Sequence, residues 1–350
     1  MPDTPPQHQF EIFPVANGGQ REVNARNPLG FSARICMLVI VMVVITTQSG
    51  CQIFRRFGSG HVDRIPVVFS ELPSQQQLLA SLNSKSASVR QLTSNVTVSL
   101  PGAPKIKGTL QVEFPNRIRM KAGLLGISEM GVDVGSNQEQ FWIWSKASLP
   151  GQPPALYYAN HDAFQQSPVR QAIPLDPKWL IESFGLVKFD PNDVHHGPTM
   201  VPGGRMKLFT VQQTATGPQT RVTLLGTKSG VIEQQAVYDA SNRLIAYSNS
   251  SNHKNYADQQ ISLPQRVELH MIQPDGQDVK IVVDLGTYSI GTPNNNVLFG
   301  DPAKMWAIPN PGGVPKFDLT RLSNAESPNG YSNNFLPQHG TPATGVGFSQ

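Results

Sequence analysis

Of the chain's 350 residues only 15% are charged and 39% hydrophobic, while Gly and Pro number 30 each, a profile of strands and turns that argues against an all-α architecture. The formal charge of +4 forms no basic stripe: Arg21, Arg26 and Arg34 balance Asp3, Glu11 and Glu22 in the first fifty residues, and beyond them no Lys/Arg run suits nucleic acid. The two cysteines, Cys36 and Cys51, sit in or just after an N-terminal apolar stretch, so the region beyond has no disulfide, zinc-thiolate site or cysteine nucleophile.

Ile35 to Ile45 is an uncharged apolar run behind three arginines. It is shorter than the roughly 20 residues needed to span a bilayer and has the length of a signal-peptide h-region. Ser49-Gly50-Cys51 then resembles the end of a bacterial lipobox, in which small residues precede the cysteine that is diacylated. Gln48 stands where such boxes usually carry an aliphatic residue, and the n-region is long, so an uncleaved helix from the same segment is the competing reading. Both readings export the residues after 51. Two acyl chains at Cys51 would hold the protein on a bilayer where one would not. The organisation read here is a lipoprotein-type signal peptide over 1–50, a lipidated tether over 51–70, one domain over 71–302, and an irregular Pro/Asn/Gly-rich tail over 303–350.

Within the domain, Leu78, Leu79, Leu82 and Val89 recur at helical spacing behind Ser74, a plausible N-cap. The period then drops toward 2. Val96, Val98 and Leu100 alternate, followed by Ile106, Leu110, Val112 and Phe114, then Ile118 and Met120, with Pro101-Gly102 and Pro115-Asn116 as turns. Further strands are predicted near 130–134, 140–144 and 155–159. Residues 174–185 read as a short helix with Asp176 as cap, Pro177 in the first turn and Gly185 at the end, presenting Trp179, Leu180 and Phe184. A second strand series follows at about 205–213, 219–226, 230–238, 243–249, 263–273 and 278–289. A sheet this wide must curl, so the fold class is mainly β (α+β): a curled antiparallel sheet with helices on its concave face, leaving an apolar concavity between the two layers.

Three segments carry a family resemblance: Leu92 to Val98, Gly108 to Met120 and Asp133 to Trp144. A strand ends at Pro115, the next begins Arg117-Ile118-Arg119, and an Asn-bearing turn leads into Phe141-Trp142-Ile143-Trp144. This pattern, behind a lipobox, resembles the LolA and LolB half-barrels that carry lipoproteins between bacterial membranes. The resemblance covers roughly 74–300 and implies the fold more strongly than the activity. An anchored chain is closer to LolB, and for that protein's protruding apolar loop the nearest candidate here is Leu124, Leu125 and Ile127, between two strands, a segment that could equally be a buried turn. By the family's sorting rule, Gln52 after the lipid cysteine implies the outer membrane, facing the periplasm.

The implied chemistry is sequestration of an acyl chain or lipoprotein anchor, for which an apolar concavity suffices. Candidate lining residues are Leu110, Val112, Phe114, Ile118, Met120, Phe141, Ile143, Trp179, Leu180 and Phe184, each of which could equally be ordinary core. No cofactor or metal is expected: His195-His196 reads as a solvated loop, because adjacent residues on an extended chain point apart. No nucleophile, base or carboxylate pair appears in a recognisable catalytic setting. The expected partners are a membrane and acyl lipids or lipoproteins, with no nucleic acid. The competing function is a non-catalytic interaction or envelope-sensor protein on the same scaffold with a filled core.

Overall fold

A computed structural model describes residues 65–321, apart from 125–126, 147–153, 168, 173–177, 216, 274–275 and 295–298. The export segment, Cys51, Leu125 and the expected cap Asp176 lie outside the described residues.

Helix α1 (Gln75–Ala87) begins where Ser74 and Gln77 satisfy each other. The Gln77 amide donates to Ser74 Oγ at 3.3 Å and the Ser74 amide to Gln77 Oε1 at 2.9 Å, which closes a capping box on two otherwise unpaired donors. Leu78, Leu82 and Ser86 form its buried stripe, spaced i, i+4, i+8 as a core-facing helix requires.

An antiparallel run follows: β1 (Gln91–Ser99), β2 (Ile106–Glu113), β3 (Arg117–Leu124), β4 (Ile127–Ser136), β5 (Gln140–Ser145) and β6 (Ala155–Asn160). Short helices α2 (His161–Gln165), α3 (Val169–Ala172) and α4 (Lys178–Ser183) lead to a second run: β7 (Val194–Val201), β8 (Arg205–Thr214), β9 (Gly217–Gly226), β10 (Ile232–Tyr238), β11 (Leu244–Tyr256), β12 (Ile261–Ile272) and β13 (Asp278–Leu285). β13 returns to pair with β1 over Val96–Ser99, and β14 (Ser289–Gly291) pairs with Gln91–Thr93 of the same strand. β15 (Lys316–Asp318) adds in parallel beside β6. The sheet therefore runs β15-β6-β5-β4-β3-β2-β1-β13-β12-β11-β10-β9-β8-β7. It is one curled, open, almost wholly antiparallel sheet, the half-barrel that the resemblance implies.

This order fixes where the helices go. β6 lies near one edge and β7 forms the other, so the connection between them must cross a face of the sheet, and it carries α4 over the concave one. There Trp179, Ile181, Phe184 and Leu186 are buried among residues of β1, β2 and β11–β13. α1 packs beside them: Leu78 and Leu82 meet Met206, Leu208, Leu225 and Ile232. Asn83 ties α1 to the connection, giving and receiving a hydrogen bond with the Phe189 backbone at 2.9 and 2.8 Å.

Two expectations need correcting. His195 and His196 are not in a loop but in edge strand β7; a bulge between His196 and Thr199 and Pro198 break the alternation by which a strand is read. The stretch after residue 302 is not wholly irregular. It supplies α5 (Pro302–Met305), a buried Trp306, β15 and a buried Leu319. Its elements are three or four residues long, too short to show a period.

Candidate functional site

The concave face beneath α4 is built from cross-strand rows. Leu110 stands opposite Met120, and Val112 opposite Ile118 and Leu92, and residues paired in this way share a face. Leu110, Val112, Ile118, Trp179 and Phe184 are buried in one cluster, with Phe114, Met120 and Leu180 packed against it. The structure thus brings eight of the ten expected lining residues together. The other two it does not: Phe141 packs with Phe164 and Leu319 in a separate cluster, and Ile143 is 41% exposed. Both lie in the same rows, through Ser136 and Val134 of β4, but toward the β6 edge, away from α4. Of the loop candidates, Leu124 ends β3 and pairs with Ile127 at the start of β4, while Leu125 lies outside the described residues.

A polar patch interrupts this apolar surface, and the periodicity argument overlooks it. Thr223, Gln235 and Ser248 stand opposite one another on β9, β10 and β11, and all three are fully buried. Leu208 and Leu269 flank them in the same row. Beside Thr223, Arg221 reaches Glu182 of α4, with Nη2 at 2.7 Å from Oε2. The patch holds the end of α4: Gln235 Nε2 donates to the Glu182 carbonyl at 2.8 Å and Ser250 Oγ to the Ser183 carbonyl at 3.2 Å. Arg221 Nη2 also donates to Gln212 Oε1 at 3.2 Å, and Gln212 donates to Asp193 at 2.8 Å. Arg221 Nε, Thr223 Oγ1, Gln235 Oε1, Ser248 Oγ and Trp179 Nε1 are buried without a hydrogen-bond partner. A bulge between Ile232 and Gln234 shifts the phase of β10, which hides Gln235 from a reading by alternation.

Between α1, β10–β12 and the segment after α4 lies a cavity of about 20 Å³, lined by residues including Leu82, Lys85, Val187 and His253. It has room for about one water. His253 Nε2 donates to the Ile232 carbonyl at 3.0 Å. Burial holds the pKa of this ring below the ordinary imidazole value, against the opposing effect of that hydrogen bond.

The opposite face explains the sequence pattern that carried the resemblance. Arg119 forms a two-pronged ion pair with Asp133, at 3.0 and 2.8 Å, and Trp142 Nε1 donates to the same carboxylate at 3.2 Å. Arg119 also donates to the carbonyls of Met305 and Ala307 at 2.5 and 3.3 Å. The Trp142 ring lies over Gly135, where an added Cβ would come within 2.2 Å of it. The Arg-Ile-Arg, Asp-Val-Gly and Phe-Trp-Ile-Trp segments therefore interlock on the convex side, and what they specify is the fold.

A half-barrel with an apolar concave face closed by a short helix is the class of protein this geometry defines. No protein-family model matches the sequence, and no curated protein matches it. Solved structures are similar to it: a LolA superfamily protein of Nitrosomonas europaea (11% identity, TM-score 0.38, covering 66% of this chain and 97% of that one), and a domain of Vibrio parahaemolyticus described as an outer membrane lipoprotein-sorting protein (10%, 0.42, 65% and 94%). A DUF1329 family protein of Desulfovibrio piger is similar too (11%, 0.43, 65% and 94%).

Proposed function

We propose that this chain is a membrane-anchored envelope lipoprotein, acylated at Cys51, whose half-barrel shelters an acyl chain or the lipid anchor of a lipoprotein beneath α4. The observation that carries the reading is the pairing of an apolar concave face with a very short cover. At six residues, α4 is far below the roughly 12–15 at which an isolated helix is even marginal in water, so its contacts with the sheet alone hold it. Displacing it would remove Trp179, Ile181 and Phe184 from the concave face and leave room for a chain that gains about 0.8 kcal/mol per buried methylene. Gln52, in place of the Asp that retains lipoproteins in the inner membrane, favours the outer membrane facing the periplasm and a role in sorting lipoproteins there. Among the described residues no helix is long and apolar enough to cross a membrane.

One observation favours a second reading. The concave face is filled by its own side chains, with Leu186, Ile245 and Leu263 at 1% exposure or less, which suits a non-catalytic interaction or envelope-sensor protein with a solid core. Native mass spectrometry of the chain starting after Gly60, purified from a Gram-negative host, separates the two. The carrier reading expects a co-purifying acyl species or uptake of a fluorescent fatty acid at micromolar concentration. A clean apo mass with no uptake leaves the interaction protein.

A further inference from the structure

The patch under α4 is an odd place for polar groups. Leaving a buried donor or acceptor unpaired costs about 1–3 kcal/mol, and a buried ion pair is often no more stabilising than apolar residues of similar volume. The flanking positions of the same row are Leu208 and Leu269, so this row of the sheet accepts leucine. The patch nevertheless gathers one cation, two hydroxyls and an amide, and orients the cation from behind through Gln212 and Asp193. Among the described residues one carboxylate, that of Glu182, is ion-paired with Arg221, and it arrives on the short helix α4.

We propose that Arg221, Thr223, Gln235 and Ser248 form the head-group site for an acidic single-chain amphiphile, and that Glu182 fills this site in the closed state as an internal stand-in for the ligand's anion. The inference rests on the acyl-binding reading above and adds the class of ligand. When α4 lifts, Glu182 leaves with it, close to Lys178 at 3.8 Å. An incoming carboxylate or phosphate takes the planar fork of Arg221, including the unpaired Nε, in the two-pronged manner suited to such anions. The Thr223 and Ser248 hydroxyls and the freed Gln235 amide donate to its remaining lone pairs, while the alkyl chain lies where Trp179, Ile181 and Phe184 now pack. One buried anion replaces another, so the exchange leaves no uncompensated charge.

The test is a competition on the full chain in a non-ionic detergent, with equimolar dodecanoate and dodecanol, read as adduct ratios by native mass spectrometry. The native chain should favour dodecanoate by about tenfold, what one charge-assisted contact supplies. Glu182→Gln should take up more dodecanoate than the native chain. Arg221→Gln should lose the preference while still binding dodecanol. Because that variant strands Glu182, the double variant Glu182→Gln/Arg221→Gln, which buries no charge, must show the same loss. Equal binding of the two amphiphiles by the native chain, a preference that survives in the double variant, or unchanged uptake by Glu182→Gln overturns the head-group site and leaves acyl binding standing. Binding of neither amphiphile, by the native chain or by Glu182→Gln, overturns both.

Discussion

Arg119 is buried on the convex side of this sheet and Arg221 lies nearly buried on the concave side, and the two are built into opposite kinds of surroundings. Arg119, on the convex side, is saturated: both prongs are on Asp133, backbone carbonyls of the 304–307 segment accept from Nη1, and its guanidinium lies 5.4 Å from the Trp142 ring. Arg221, on the concave side, has among the described residues a single close carboxylate contact and an unpaired Nε, and three of its neighbours each carry an unpaired atom. A group whose partners are complete serves to join parts of the fold, here β3, β4 and the returning C-terminal segment. One whose partners are incomplete leaves bonding capacity for something else to use. The difference teaches that burial of a charge by itself says little; the count of its satisfied atoms says what it is for.

The comparison breaks most readily on the convex side. Arg119→Ala leaves Asp133 buried and unpaired, and stability measured by urea unfolding should fall by about 3–5 kcal/mol. Gly135→Ala drives a methyl into the Trp142 ring and should cost about 1–3 kcal/mol by the same assay. On the concave side, removing both charges at once, Glu182→Leu with Arg221→Met, should leave stability unchanged or raise it by about 1–4 kcal/mol, as replacement of a poorly satisfied buried pair does. A loss of stability in this double variant as large as that of Arg119→Ala would make the two arginines equivalent and erase the distinction.

How much of this could be read from the sequence follows from the length of each element. Apolar residues alternate along β1 and β2, in β3 Ile118, Met120 and Ala122 alternate with Arg119 and Lys121, and α1 carries a full capping box, so period and cap both identify them. β7 escaped because a bulge and Pro198 interrupt it, and β15 because three residues hold no period. The concave row from Leu110 to Met120 was legible as an apolar face, but not its lateral limit, and Ile143 lies past it. Least legible was the polar patch. Thr223, Gln235 and Ser248 are ordinary strand residues apart in the chain, and only the register across three strands, with a bulge in one of them, brings them under Glu182.

The smallest expected effect probes the concave side without touching the patch. His253 lines the cavity beside α1 together with Lys85, and burial lowers the pKa of both. For a histidine lowered in this way, the neutral ring is present in both folded and unfolded chains above about pH 6.5, the ordinary imidazole value. In that range its contribution to stability is complete. As pH falls below that value the unfolded chain takes up the proton first, and stability drops until the folded pKa is passed, with a slope that one group cannot raise above about 1.4 kcal/mol per pH unit. Urea midpoints of the native chain should therefore fall more between pH 7.5 and 5.5 than those of His253→Gln, which keeps a donor for the Ile232 carbonyl but has no proton to gain. Parallel pH curves for the two proteins would mean that the ring is as well hydrated folded as unfolded. The cavity side of the concave face would then admit water freely, and the contrast between a dry concave patch and a saturated convex one would lose its physical basis.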